Sequence, residues 1–119
     1  MNFLETDRLF LRQILPEDYD FLLGLYQDPD VMKFIWSGTQ SSDRTRASLD
    51  RFLAHWKKHQ FGMYAVCLKP ARNWIGYCGL RYFEQTSDIE VGYILAKDFW
   101  GNGYATEAAR TCLDHAFRR

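Results

Sequence analysis

Two glycines separated by one residue stand just before a helical pattern near the end of the chain. The stretch from Phe99 to Ala108 reads FWGNGYATEA, with Gly101 and Gly103 at its centre. A strand that passes through such a turn into a helix gathers unpaired backbone N–H groups at the positive end of the helix dipole. Glycine tolerates positive φ there and places no side chain between the backbone and an anion. The pattern suits a phosphate, and a purely structural turn is the alternative interpretation.

One carboxylate lies on the strand predicted before this turn. In DIEVGYIL, alternation puts Glu90, Gly92 and Ile94 on one face of the strand and Ile89, Val91, Tyr93 and Leu95 on the other. A carboxylate at Glu90 could accept a proton from a nucleophile bound nearby. The alternative is an ordinary glutamate on the surface of a sheet.

Two familiar phosphate loops fit this chain poorly. The nucleoside-triphosphate loop ends in Gly-Lys-Ser/Thr, and the sequence contains no such triplet. The dinucleotide fingerprint would put Thr106 at its third small position, and its acidic partner belongs about 20 residues further on, past residue 119. A phosphate site at this turn would therefore be of a different kind.

Composition narrows the class of protein. A length of 119 residues predicts a single domain over residues 1–119. The 15 Lys and Arg residues balance the 15 Asp and Glu residues, so the chain lacks the positive field of a nonspecific nucleic-acid binder. Cys67, Cys78 and Cys112 form no CxxC pair and have no histidine at metal spacing, which predicts reduced thiols in a cytoplasmic protein and no metal site. No apolar run approaches the roughly 20 residues of a membrane span.

Periodicity predicts the elements that must position these residues. Alternation indicates a strand over Arg8 to Ile14, and the apolar run from Gly62 to Leu68 indicates a strand buried on both faces. Two further strands, Trp74 to Phe83 and Ile89 to Ala96, flank a polar connection and suggest an antiparallel hairpin. Helical spacing indicates three helices: one opened by Pro16 and ended at Asp28-Pro29, one capped by Ser42, and one from about Gly103 onward. The order β-α-α-β-β-β-α predicts an α/β (α+β) fold with helices packed on a small mixed sheet.

The same helical spacing predicts the apolar faces of two helices. For the first helix the predicted stripe is Leu15, Tyr19, Leu22, Leu23 and Tyr26. For the last helix, the face predicted to lie inward comprises Ala105, Ala109, Cys112, Leu113, Ala116 and Phe117, and the outward face comprises Glu107, Arg110, Asp114 and Arg118.

The stretch YILAKDFWGNGYATEA resembles the acetyl-coenzyme A motif of the GNAT N-acetyltransferase superfamily, especially the branch that acetylates the N-termini of ribosomal proteins. The opening ETDRLFLRQILPEDYDFLLGLYQDPDV is similar to that branch's Thr-x-Arg-Leu-x-Leu-Arg strand with its following helix and Asp-Pro. The hairpin IGYCGLRYFEQTSDIEVGYIL also matches. The resemblance covers nearly the whole chain, and it implies a mostly antiparallel GNAT-like sheet with helices on both faces.

The resemblance also implies a set of site residues. The family's pyrophosphate loop, Q/R-x-x-G-x-G/A, aligns with Trp100, Gly101, Asn102, Gly103, Tyr104 and Ala105. Trp100 replaces the usual Gln or Arg, which implies that binding depends on backbone N–H groups more than on a cationic side chain. Ile94, Leu95 and Ala96 are expected to offer backbone hydrogen bonds to the pantetheine arm. Glu90 is expected to be the general base.

The implied activity is transfer of an acetyl group from acetyl-CoA to a primary amine, either a protein N-terminal α-amine or the amine of a small molecule. The family normally continues after the last helix with another strand, so we expect a C-terminally truncated fold with an exposed strand edge. A homo-oligomer or completion by another chain would cover that edge. The alternative is a noncatalytic remnant or assembly module that keeps the fold. Neither nucleic acid nor a membrane is expected as a partner.

Overall fold

The computed structural model describes residues 3–33, 35, 38–82 and 86–118, which form one antiparallel sheet and its helices. The strands are β1 (Phe3–Glu5), β2 (Leu9–Gln13), β3 (Met63–Leu68), β4 (Asn73–Tyr82) and β5 (Ile89–Leu95). The helices are α1 (Tyr19–Gln27, preceded by the 3₁₀ turn Pro16–Asp18), α2 (Pro29–Met32), α3 (Ser42–His59) and α4 (Tyr104–Phe117). The strand order is β1-β2-β3-β4-β5, and each strand runs antiparallel to its neighbour.

The predicted order of the main elements is confirmed, and two short elements were missed. The three residues of β1 are too few to display an alternating pattern. Asp28-Pro29 does end α1, but the Asp28 carboxylate also accepts hydrogen bonds from the backbone N–H groups of Asp30 (2.9 Å) and Val31 (3.4 Å). Asp28 therefore caps a further turn of helix, α2, whose first position is the proline that favours it. Phe83, the predicted end of the fourth strand, lies outside the described residues.

Helices α1 and α3 cover one face of the sheet. The Tyr26 hydroxyl of α1 lies 3.0 Å from the Tyr77 hydroxyl of β4, and the Phe52 ring of α3 meets the Tyr77 ring edge-on at 5.3 Å. The predicted stripe of α1 is partly wrong. Leu25 is buried with Leu22 and Tyr26, whereas Leu15 precedes the helix and is exposed.

A buried ion pair holds the start of α1 against β2. Both oxygens of Asp18 accept hydrogen bonds from the Arg12 guanidinium, each at 2.9 Å, and the Leu15 N–H donates to the same carboxylate at 2.8 Å. Asp18 is buried, so the three donors replace the water that the carboxylate loses. The direction in which the chain leaves β2 is thereby set.

Helix α4 covers the opposite face of the sheet. Its Cys112 belongs to the same buried core as Cys78 of β4, and Ala108 and Cys112 are buried one turn apart. The predicted inward face is wrong at its end: Phe117 is 84% exposed and Leu113 36% exposed. Because the buried stripe is centred on Ala108 and Cys112, Leu113 and Phe117 lie at its side, where they border a cleft together with Tyr93 of β5. No helix among the described residues is long and apolar enough to cross a bilayer.

Strands β4 and β5 approach each other closely at one glycine. A Cβ atom at Gly76 would lie 2.2 Å from the backbone oxygen of Ile94 and 2.8 Å from the Cα atom of Leu95. β4 also carries a β-bulge here, since Val66 pairs with Gly76 while Cys67 pairs with Trp74, which leaves Ile75 as the extra residue. The bulge and the glycine shape the end of β4 beside the last residues of β5.

We expect Gly76→Ala to lower the free energy of unfolding by about 1 to 3 kcal/mol or more, because the new methyl group cannot fit without separating β4 from β5. Gly24→Ala is the matched control. Gly24 lies inside α1 with no atom within 4 Å of an added Cβ, so this change should raise stability by about 0.5 to 1 kcal/mol. Urea unfolding followed by circular dichroism measures both. Equal effects of the two substitutions would contradict the close approach of β4 and β5.

Candidate active site

The glycine turn leads directly into the first turn of α4. Gly101 and Gly103 have φ angles of 80° and 79°, in the left-handed region that favours glycine. The first backbone bond of the helix runs from the Glu107 N–H to the Gly103 oxygen at 3.0 Å. The N–H groups of residues 104–106 precede that bond, so they have no acceptor within the helix, and no side chain caps them. The turn thus presents free N–H groups at the positive end of a 14-residue helix.

Asn102 closes the turn with its own side chain. Its amide nitrogen donates to the Trp100 oxygen at 3.2 Å and to the Phe99 oxygen at 3.4 Å. Its backbone oxygen accepts a hydrogen bond from Arg8 Nη1 at 3.0 Å. The Asn102 side chain therefore holds the turn together.

Arg8 was not among the predicted site residues. Its Nε atom donates to Glu107 Oε1 at 2.7 Å, and its guanidinium lies 4.5 Å from the centroid of the Tyr104 ring. The Thr6 hydroxyl donates to Glu107 Oε2, as does the Arg8 N–H at 3.3 Å. Glu107, predicted to face outward, is thus held against the start of β2. Thr6, Arg8 and Glu107 all fall within the segments that carry the family resemblance, the one signal that could have singled them out.

The outer edge of β5 offers main-chain groups in an alternating pattern. The Ala96 N–H donates to the Ile75 oxygen at 2.8 Å, and the register pairs Gly76 with Leu95. Because main-chain groups alternate in direction along an antiparallel strand, those of Ile94 also face β4, whereas those of Tyr93 and Leu95 face away from it. β5 is the last strand in the order of the described sheet. Of the three predicted pantetheine contacts, Leu95 is the one whose main chain faces the open edge.

Trp100 covers part of that edge. Its indole Nε1 donates to the Leu95 oxygen at 2.9 Å, while 47% of the residue's surface stays exposed. The tryptophan that stands in place of the family's Gln or Arg therefore links the turn to the end of β5. The Leu95 N–H group faces the same edge.

Glu90 lies on the face of β5 that carries α3. It pairs directly across the sheet with Arg81 of β4, whose Nε donates to Glu90 Oε1. Both side chains are about one-third exposed. They line a cavity of about 290 Å³ whose other walls are mainly apolar, among them Phe52, Met63 and Tyr77. A positively charged or neutral amine with an apolar body would fit such a cavity, with the carboxylate at its rim.

The turn and Glu90 lie at opposite ends of β5. Leu95 is five positions after Glu90, so the extended strand from one Cα atom to the other spans roughly 17 Å. A ligand that contacts both must be long and narrow and must run along the strand. No group of three or more His, Cys, Asp or Glu side chains in the described part of the chain is arranged to hold a metal ion.

Comparison with known proteins identifies the family and its fold. A family model described as an acetyltransferase (GNAT) domain matches residues 8–119. The chain belongs to the GNAT acetyltransferase family. It is a GNAT-type acyltransferase domain, and acetyl-CoA is the acetyl donor of that family.

Individual GNAT relatives cover almost all of this chain. YkkB of Bacillus subtilis (strain 168) is 38% identical over 122 residues, which span 96% of this chain and 67% of YkkB. The uncharacterized N-acetyltransferase p20 of Bacillus licheniformis is 31% identical, over 98% of this chain and 67% of p20. The crystal structure of an acetyltransferase from Agrobacterium tumefaciens str. C58 superposes with a TM-score of 0.87 and 26% identity, over 98% of this chain and 67% of that one. The chain thus spans about two thirds of the length of these three proteins.

The Glu107 network predicts a pH-dependent contribution to stability. Burial tends to raise the pKa of Glu107, but hydrogen bonds from Thr6 and Arg8 outweigh it and hold the pKa below its ordinary value. A carboxyl whose pKa is lower in the folded state stabilises the fold fully above its unfolded pKa of about 4.3, and this contribution is lost as the pH falls through the folded pKa.

We therefore expect the stability advantage of the wild type over Glu107→Gln to be constant near neutral pH and to shrink between about pH 5 and about pH 3. Urea unfolding at a series of pH values measures that difference, and a carbon-detected NMR titration measures the pKa of Glu107 itself. A constant difference across the series, or a Glu107 pKa above the ordinary value, would contradict the network.

Proposed function

We propose that this chain binds acetyl-CoA with its pyrophosphate at the glycine turn and transfers the acetyl group to a primary amine. The observation that carries the proposal is the start of α4, where two glycines at positive φ precede N–H groups that no helix acceptor or cap occupies. These groups fit a doubly charged pyrophosphate, because they and the helix dipole both favour negative charge. In this proposal the contacts come from the free N–H groups of Tyr104, Ala105 and Thr106 together with the backbone of Gly101, Asn102 and Gly103, and Trp100 borders them.

The pantetheine arm would lie along the open edge of β5. The outward-facing main chain of Leu95 supports this position, and that of Tyr93 extends it toward Glu90. Ile94 contributes through its buried side chain, since its main-chain groups face β4. Ala96 has both of its groups engaged, the N–H with Ile75 and the oxygen with the Phe99 N–H at 3.0 Å. The arm would thus run along the roughly 17 Å of extended strand between Leu95 and Glu90.

Glu90 is the proposed general base. The amine nitrogen attacks the thioester carbonyl carbon, the new N–C bond forms, and the C–S bond breaks. The proton lost by the nitrogen passes to the Glu90 carboxylate, directly or through a water, and a proton returns to the departing thiolate, so that the products are an amide and free CoA. Arg81 holds one carboxylate oxygen in place, which leaves the carboxylate oriented toward the cavity it lines.

The proposed acceptor is a protein N-terminal α-amine or the amine of a small molecule. An α-amino group has an ordinary pKa near 8, so a fraction of it is neutral at physiological pH and a modest base suffices, whereas a lysine side chain near 10.4 needs a stronger one. The opening ETDRLFLR, which resembles the ribosomal-protein branch, supports the protein N-terminus.

We expect Glu90→Gln to reduce kcat by about 100-fold or more while the Kd of acetyl-CoA changes little, because the amide cannot accept the proton. Glu5→Gln is the matched control, since Glu5 is also an ion-paired strand glutamate, bound to Lys69 at 2.6 Å. Mass spectrometry of a panel of amines and N-terminal peptides measures transfer, and calorimetry measures binding. Full turnover by Glu90→Gln would rule out Glu90 as the base. Failure of the wild type to bind acetyl-CoA would overturn the proposed function.

The exposed edge of β5 supports a second candidate, a noncatalytic assembly module that keeps the acetyl-CoA site. Ile89, Val91 and Tyr93 are exposed large hydrophobic residues on this strand, and Leu113 and Phe117 of α4 border the same side. Such an edge favours association with another strand. Binding of acetyl-CoA by the wild type without transfer to any amine of the panel would favour this candidate over the first.

In either case we propose that the β5 edge pairs with another chain, and a second copy is the simplest partner. Light scattering after gel filtration should then give a mass above the 14.1 kDa of one chain. Val91→Lys should shift the protein toward that single-chain mass, because a lysine on an edge strand opposes pairing. Leu15→Lys, at an exposed leucine before α1, is the control and should leave the mass unchanged. A wild type that remains at the single-chain mass at high concentration would contradict self-association.

A further inference from the structure

One cation from the start of β2 lies beside the glycine turn. Arg8 Nη1 bonds the Asn102 oxygen at 3.0 Å, Arg8 Nε bonds Glu107 at 2.7 Å, and the guanidinium stacks on the Tyr104 ring at 4.5 Å. Nη2 is 3.5 Å from the position a Cβ would take on Gly103. A single side chain thus contacts both the glycine turn, through the Asn102 oxygen, and the first residues of α4. Arg8 precedes Asn102 by 94 residues in the sequence.

The bond to Asn102 sets the direction of a peptide plane. In a trans peptide the C=O and the following N–H point in opposite directions. When Arg8 holds the Asn102 oxygen, the N–H of Gly103 must therefore point away from Arg8. The same bond keeps the carbonyl oxygen, a partial negative charge, turned away from that side of the turn. A glycine that accepts many φ values needs such a restraint to hold one orientation.

Arg8 also compensates a charge that would oppose an anion. Glu107 is in the first turn of α4, close to the free N–H groups. Its negative charge would repel a phosphate at this helix end, and the guanidinium bonded to it at 2.7 Å offsets that charge. Arginine suits the task because its planar fork can donate to a carbonyl and a carboxylate at once while its face rests on an aromatic ring.

We propose that Arg8 is the positioning residue of the pyrophosphate site. From the position immediately before β2 it supplies the cation that the loop itself lacks at Trp100, and it acts by orienting the Asn102–Gly103 peptide and neutralising Glu107. The proposal rests on the proposed function, because it concerns the same turn. It assigns to Arg8 a role toward the pyrophosphate end of the ligand and none toward the thioester.

The test compares Arg8→Gln and Arg8→Lys with the wild type. The lysine variant keeps the positive charge but cannot reach the carbonyl, the carboxylate and the ring together. Arg72→Gln is the matched control, because the Arg72 guanidinium lies over the Phe10 ring at 4.0 Å and no contact with the glycine turn is found for it among the described residues. Thermal unfolding of each variant identifies the temperature range in which it is folded, and the measurements are made there.

Two ligands separate the pyrophosphate from the rest of the site. Acetyl-CoA carries the pyrophosphate, whereas S-acetylpantetheine has the same thioester and arm without it. We expect both Arg8 variants to raise the Kd of acetyl-CoA by about 10- to 100-fold, as a small misplacement of binding groups does. The Kd of S-acetylpantetheine, measured by NMR titration, should change less than about twofold. A general loosening of the fold would weaken both ligands alike.

A measurement without ligand tests the positioning directly. The heteronuclear NOE of the Asn102 and Gly103 amides should fall in both Arg8 variants and stay at the wild-type value in Arg72→Gln, because the peptide plane loses its restraint. Equal loss of affinity for both ligands, wild-type affinity in Arg8→Lys, or unchanged amide NOE values would each overturn the role of Arg8 while the proposed function stands. Absence of acetyl-CoA binding by the unchanged protein would instead overturn the proposed function and this role with it.

Discussion

The antiparallel pairing of β5 with β4 is the constraint on which the candidate site depends. The bond from the Ala96 N–H to the Ile75 oxygen fixes which main-chain groups of β5 are used within the sheet and which face outward. A shift by one residue would exchange the two sets and would also move Glu90 to the opposite face. The register thus sets two properties together: an outward main chain at Leu95 and a carboxylate on the side of α3. Gly76 permits this register because any larger residue would meet the backbone of Ile94.

Pairing of β5 with β4 positions one side of the site, and the start of β2 positions the other. Thr6 and Arg8 reach the first turn of α4 through Glu107, so residues near the start of the chain hold a turn near its end. Arg12, four residues along, bonds Asp18 and sets the start of α1. Arg8, immediately before β2, and Arg12, within it, thus join this part of the chain to helices on opposite faces of the sheet. The turn is consequently tied to the whole fold, and disruption of β2 would disturb it as surely as a change within the turn.

The sequence predicted most of the fold because its signals are local. The alternation of β2, the apolar run of β3 and the helical spacing of α3 extend over enough residues to identify each element, and the resemblance supplied the arrangement. What could not be predicted depends on contacts between distant residues. Nothing local to Arg8 distinguishes an arginine that clamps a turn from one that is solvated. Phe117 has the spacing of a buried residue, yet it is 84% exposed because burial depends on what lies beside the helix.

The site residues also divide into those with a local signal in the sequence and those that depend on contacts with distant residues. The glycines of the turn could be recognised, since a pair of glycines before a helix has a local conformational reason, and both adopt positive φ. A run of three residues was predicted for the pantetheine contacts, but the direction of each main-chain group depends on the partner strand, and of the three only Leu95 faces outward. Trp100 was predicted as a site residue that replaces the usual Gln or Arg and carries no charge. Its bond to the Leu95 oxygen depends on the path of the chain between β5 and α4.

A turn made of glycines has a thermodynamic difficulty as an anion site. Glycine loses more conformational freedom on ordering than any other residue, so a flexible turn would bind a phosphate only after a considerable entropic cost. Preorganised N–H groups avoid that cost at the moment of binding. Here three hydrogen bonds order the turn. The Asn102 side-chain amide closes it from within, and the Trp100 indole bonds the end of β5. Arg8, immediately before β2, bonds the Asn102 oxygen. The contacts that hold the glycine turn in the fold are therefore the same contacts that would preorganise it for a ligand. For this reason a residue as distant in sequence as Arg8 belongs in the description of the site.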